Sequence, residues 1–172
     1  VRCIRESYEE SEPHIVEAHV RVRRSFGLPT APPHAAGGVP CALCANECVI
    51  GEGDRGYCGL RANSDGVFTS LTSPMKAALS YYLDPQVTNC CAAWFCPAGT
   101  GAGYPKYASR PGPEVGYYNL ALFFYGCNFD CLYCQNSSHK QIEEAPRCNV
   151  KTLVSLSLEN KRISCWCFFG GS

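Results

Sequence analysis

The 172-residue chain carries fifteen Lys and Arg against fifteen Asp and Glu, so its zero net charge offers no basic field that would make nucleic acid an obligatory partner. Its fourteen cysteines, about 8% of the chain, reach the density at which a disulfide scaffold or a metal protein has to be considered. The first thirty residues, with Arg21, Arg23 and Arg24 and no long apolar core, are not a signal peptide, and no stretch approaches the roughly eighteen uninterrupted apolar residues of a membrane span. These features disfavour a secreted disulfide framework and predict a reducing, cytoplasmic location. The chain opens on Val1 rather than Met and stops at Ser172, straight after an apolar run and two glycines. It is therefore expected to be an N-terminal fragment of a longer protein.

Taken from the N-terminus, His14, Ile15, Ala18, Val22 and Phe26 recur at helical spacing with Glu and Arg between them, which predicts an amphipathic helix from Glu9 to Phe26 that ends near Gly27 and Pro29. The following PTAPPHAAGGVP supports neither helix nor sheet and reads as a linker. From Cys41 to about Asn63 comes a Cys-rich module in which Gly51, Gly53, Gly56 and Gly59 allow tight turns. VFTSLTS and MKAALSYYL, in residues 66–83, are expected to form a strand and then a short helix. Residues 89–116, rich in Gly and Pro, predict a long irregular segment. YYNLALFFYG (117–126) reads as a strand buried on both faces, a short helix is expected from Val150 through Leu153, Val154 and Leu158, and RISCWCFF (162–169) reads as a second buried strand. Strand, loop, helix and strand make a βαβ unit, which implies a parallel sheet in an α/β fold.

Directly after the first of these strands, CNFDCLYC places Cys127, Cys131 and Cys134 on one loop. A cubane needs thiolates from three directions around a small core, and a loop this short can wrap one with its N–H groups facing the sulfides. Three local ligands leave the fourth iron open to an exogenous ligand, as a catalytic iron requires. The alternative is zinc bound by a mixture of these and other cysteines, or three reduced thiols. A second group, Cys41, Cys44, Cys48 and Cys58, can close a tetrahedral zinc site or hold an auxiliary iron-sulfur cluster; spacing does not choose between them. With four protein ligands such a site is coordinatively closed, which suits a structural or electron-relay role. Cys90, Cys91 and Cys96 read equally well as core packing. His139 is expected to be a polar surface residue, and Asn136 to cap the helix after the loop.

The buried strand, the C-x3-C-x2-C loop with Tyr133 before its third Cys, and the helix and strand ending in Gly170 and Gly171 together resemble the radical S-adenosylmethionine (SAM) superfamily. CALCANECVIGEGDRGYCGLRAN, TNCCAAWFCPAGTGAGYPKY and NLALFFYGCNFDCLYCQN, spanning most of residues 41–136, narrow the resemblance to archaeal and bacterial proteins related to pyruvate formate-lyase activating enzymes. The resemblance implies a 4Fe-4S cluster on Cys127, Cys131 and Cys134, Tyr133 against the adenine of SAM, and Gly170 and Gly171 receiving its methionine amino group. Ser172 stands where that family has an acidic residue, and the two glycines also read simply as the end of a strand. The fold implied is the start of a partial parallel (β/α) TIM-type barrel. Residues 1–30 would be a helical lead-in, 31–40 a linker, 41–116 a Cys-rich irregular module, and 117–172 the first, truncated βαβ portion of the barrel.

The activity implied is reductive cleavage of SAM to a 5′-deoxyadenosyl radical for hydrogen abstraction, with a ferredoxin or flavodoxin as reductant and a glycyl radical enzyme as the leading partner. A fragment lacking most of the barrel is expected to be inactive alone. Two readings from other classes compete: an iron-sulfur electron-transfer protein that ignores SAM, and a zinc-ribbon binding module.

Overall fold

The structure is a computed structural model that describes residues 2–88, 90 and 92–171, with side chains from Ser11 onward. Among these residues the chain divides into two compact units, one built from residues 2–72 and 125–145, the other from residues 73–124 and 146–170. No helix of the described residues is long and apolar enough to cross a membrane.

The first unit opens with helix α1 (Arg2–Ser25), longer at its start than the apolar spacing predicts. Gly27, at φ +65°, ends it; its N–H reaches Arg24 O at 3.1 Å and that of Leu28 reaches Arg23 O at 3.0 Å, closing the last turn in the left-handed manner that glycine favours. Among the helix residues whose side chains are described, Ala18, Val20 and Val22 are half-buried. Ile15, Val16 and Phe26 are exposed, whereas Arg23 is among the most buried side chains of the chain. Two short strands, β1 (Val39–Pro40) and β2 (Val49–Ile50), pair antiparallel and close the loop that carries Cys41, Cys44 and Cys48, with Cys41 N–H donating to Cys48 O at 2.7 Å. Strands β3 (Arg61–Ser64) and β4 (Val67–Ser70) form a hairpin. Asp65 and Gly66 both take positive φ at its turn, as a tight hairpin of that twist demands. The Glu52 carboxylate accepts both turn N–H groups, at 2.7 and 2.8 Å.

The second unit is a four-stranded sheet of β5 (Lys76–Pro85), β6 (Tyr118–Phe124), β7 (Arg147–Asn149) and β8 (Ile163–Phe169), in the order β7-β5-β6-β8. A four-residue helix, α2 (Pro97–Thr100), lies in the segment between β5 and β6, and α3 (Val150–Glu159) connects β7 to β8. Asn149 caps α3, its Oδ1 accepting Lys151 N–H at 2.8 Å. Leu79, Leu120, Leu122 and Leu153 form the core, with Leu83, Phe124, Leu156 and Trp166 packed around them.

This architecture overturns the expected start of a parallel (β/α) TIM-type barrel. β6 and β8 do pair in parallel, but the segment read as a short helix, MKAALSYYL, is instead the long strand β5, antiparallel to both β6 and β7. The sheet is therefore mixed and open, not a closing run of parallel strands. Helix propensity in KAAL yields to pairing: seven consecutive residues of β5, Leu79 to Pro85, lie opposite β6, and Ala78 and Leu79 are almost wholly buried. Tertiary context overrides local preference where a long partner strand is available. β6 is buried across its centre, as expected. β8 is not: it is a half-buried edge with Phe168 exposed, because nothing pairs its outer side among the described residues.

Leu122 is fully buried within this core, and its truncation removes contacts that the surrounding side chains can only partly refill. Leu122→Ala is expected to destabilise the sheet unit by about 2–5 kcal/mol, read as a lowered denaturation midpoint at unchanged slope.

Candidate metal centre

The cysteine loop begins at Gly126, whose φ of +79° and surroundings admit only glycine. A Cβ there would lie 2.4 Å from Leu60 Cγ and 3.0 Å from Cys58 O. The Gly126 N–H donates to His139 O at 2.9 Å, so the two ends of the loop are tied together. Within it stand Cys127, Cys131 and Cys134, all half-buried. Phe129 N–H points at Cys127 Sγ at 3.4 Å, and Cys134 N–H donates to Cys131 O at 3.1 Å.

The loop is fixed by a residue that motif spacing did not single out. Asp130, at φ +59° and 1% exposed, turns its carboxylate inward to Lys140 Nζ at 2.6 Å, Arg23 at 3.2 Å and His19 Nδ1 at 3.5 Å. Burial by itself raises the Asp130 carboxyl, but the hydrogen bonds and charges of Lys140 and Arg23 outweigh it and hold the group below the usual carboxylate value. His19 and Arg23 are one turn apart on α1, which sets both on one helix face. Arg23 also donates to Pro29 O and Tyr57 O and lies over the Tyr57 ring at 3.6 Å.

Two expectations for neighbours of the loop are corrected. His139 is not a surface histidine: it is buried, with Nε2 3.6 Å from Cys134 Sγ, and burial, followed by the Lys140 charge, lowers its pKa and favours the neutral ring. Asn136 precedes a 3-10 turn (Ser137–Lys140) but makes no side-chain cap bond. Its carbonyl instead accepts His139 N–H at 3.2 Å. Tyr133 projects outward, 87% exposed, and with Phe129 and Leu132 forms an exposed apolar rim. Gly170 and Gly171 follow β8 with positive φ of 56° and 79°. Ser172 and Cys91 lie outside the described residues.

The second cysteine group converges in the same unit. Cys41, Cys44 and Cys58 line a pocket of about 210 Å³ together with Leu43, Arg61 and Asn128, and Cys48 is buried. Burial raises the Cys48 thiol, and the thiols of Cys41, Cys44 and Cys58 push the same way, while Tyr57 N–H opposes them. Tyr57 N–H points at Cys48 Sγ at 3.5 Å and Arg61 at Cys58 Sγ at 3.7 Å. Asn46 Nδ2 donates to Asn128 O at 3.0 Å, so this module touches the Cys127 loop directly through Asn128 and through Gly126. Separation in sequence concealed that contact.

Among the described residues no three His, Cys, Asp or Glu side chains are gathered closely enough to hold a single ion as they stand. The donor chemistry nevertheless fits soft-metal ligation. Both groups are all-thiol, and N–H donors from Phe129, Tyr57 and Arg61 are directed at sulfurs, as hydrogen bonds from surrounding groups orient the ligands of a soft metal.

Removing Asp130 leaves Arg23 and Lys140 buried without an anion. Asp130→Asn is expected to cost about 3–5 kcal/mol. Glu143→Gln, which breaks an ion pair with Arg55 at a largely exposed carboxylate, is expected to cost about 0–1 kcal/mol. Denaturation of the two variants side by side checks the contrast.

No family model and no solved structure matches the chain. Over 98 residues it is 31% identical to the uncharacterized protein MJ0808 of Methanocaldococcus jannaschii, a match that takes in 57% of this chain and 23% of that protein.

Proposed function

We propose that this protein is a radical SAM protein that holds a four-iron four-sulfur cluster on Cys127, Cys131 and Cys134. The observation that supports the reading most is one rigidly tethered loop presenting three half-buried thiols, tied at its ends by the Gly126 to His139 bond and at its middle by Asp130. A loop with three cysteines of its own leaves a ligand position for a small molecule. The chemistry supplied by such a cluster with SAM, when both are bound, is reductive cleavage of SAM to a 5′-deoxyadenosyl radical that abstracts hydrogen.

The chain's residues have distinct tasks in this reading. The Phe129 N–H orients the sulfur of Cys127, and neutral His139 orients that of Cys134. Asp130, with Arg23 and Lys140, fixes the loop so that its sulfurs cannot drift. Tyr133 offers an exposed ring to the adenine of SAM. Phe129, Leu132 and Tyr133 form an apolar rim suited to a reductant of the ferredoxin or flavodoxin kind, and a glycyl radical enzyme is the leading substrate class. Cys41, Cys44, Cys48 and Cys58 hold zinc or an auxiliary cluster beside the loop, as a structural or electron-relay centre.

A second reading, an electron-transfer centre indifferent to SAM, is favoured by His139, whose imidazole beside Cys134 could serve as a fourth protein ligand. Anaerobic reconstitution of the full chain with iron and sulfide separates the readings. About four irons are expected at the loop, lost in Cys131→Ala, and SAM should change the paramagnetic resonance spectrum of the reduced cluster. An iron-loaded protein whose spectrum ignores SAM but changes in His139→Ala supports the second reading. Zinc without iron or sulfide rules out both.

A further inference from the structure

We propose that Cys90, Cys96, Cys165 and Cys167 form a separate soft-metal site, in the sheet unit, that takes a single zinc ion. The site goes beyond the cluster loop and shares no residue with it. Strand alternation sets Cys165 and Cys167 on one face of β8, opposite the face on which Trp166 packs into the leucine core. The register places Asn119 and Ala121 of β6 beside them.

The chain between β5 and β6 lays its own cysteines over that face. Ala93 N–H donates to Cys90 O, Cys96 N–H to Ala92 O, and Gly99 and Thr100 N–H to Cys96 O, at 2.9 to 3.0 Å. A Cβ on Gly99 would lie 2.3 Å from Ala93 O, so only a residue without a side chain lets the turn close this tightly. The result is a cavity of about 30 Å³ lined by the four cysteines and Gln86. A water needs on the order of 10–15 Å³, so the space suits one ion and excludes a cubane.

Polar groups around the sulfurs argue against simple packing of small thiols. Gln86, itself buried, donates Nε2–H to Cys165 Sγ at 3.1 Å. Asn119, 1% exposed, takes the Cys165 thiol on its Oδ1 at 3.7 Å, while its Nδ2 has no hydrogen-bond partner. An apolar pocket has no use for two buried amides, one with an orphaned donor. Thiolates give both of them acceptors, and a divalent ion offsets the negative charge that four adjacent thiolates would carry. An all-thiolate tetrahedral set selects zinc among common divalent ions. The four sulfurs stand too far apart to ligate one point without movement, so the ion must pull them inward as each thiol releases its proton to solvent.

The test uses the full chain, reduced and stripped of metal under anaerobic conditions, with zinc as the probe. Each cysteine is alkylated with N-ethylmaleimide with and without zinc and mapped by peptide mass spectrometry. Zinc is expected to slow modification of Cys96, Cys165 and Cys167 by roughly tenfold or more, as it does for any thiolate held by a metal. Equal rates with and without zinc at Cys165 and Cys167 overturn the proposal, and this readout needs no variant to fold. As a second measurement, Cys165→Ser with Cys167→Ser should bind one zinc fewer per chain while zinc still protects Cys41, Cys44 and Cys58. An unchanged zinc count in a folded variant also overturns the site. Neither result bears on iron at Cys131, so failure here and failure of the SAM reading are separately visible.

Discussion

A carboxylate placed where water cannot reach it must find cations, and Asp130 finds Lys140 and Arg23 at 2.6 and 3.2 Å, with the His19 ring at 3.5 Å. That constraint organises the cysteine loop. Asp130 lies between Cys127 and Cys131 in left-handed backbone geometry, so its inward turn forces the flanking residues outward. Lys140 comes from the 3-10 turn after the loop, and Arg23 and His19 from α1, whose Arg23 is almost wholly buried. A buried ionic network of this kind contributes specificity more than net stability. Here the specificity is a single conformation of the loop that carries Cys127, Cys131 and Cys134.

Close backbone approach supplies the second constraint. Gly126 has no room for a side chain against Leu60 and the Cys58 carbonyl, and the amide of Asn46 reaches the backbone of Asn128. The Cys41 to Cys58 module thus acts as the support on which the loop rests. If a metal closes that module, metal binding becomes part of the folding of its neighbour.

The sequence made some of this legible and concealed the rest for physical reasons. β6 and α3 could be read because their apolar runs and bounds are local signals, and the parallel pairing of β6 with β8 follows from the βαβ order. β5 could not, because KAAL is a reasonable helix former and only its partnership with β6 makes it a strand; with it the inference of a barrel failed. In the loop, the cysteine spacing drew attention to ligands, while Asp130 looked like an ordinary loop acid. The signal available was the i, i+4 pair His19 and Arg23 on a helix whose apolar face is weak. The burial of His139 is not legible in the sequence because nothing local reports it. The pairing of Cys165 and Cys167 with Cys90 and Cys96 depends on strand register and a crossing segment, neither of which spacing encodes.

The central claim is that the Cys127 loop leaves one iron available to SAM. It is tested most directly by the Mössbauer spectrum of protein reconstituted anaerobically with iron-57, recorded with and without SAM. A single iron site that changes its isomer shift when SAM is added, with the other irons unchanged, is the predicted result. An iron-sulfur spectrum indifferent to SAM would contradict the account.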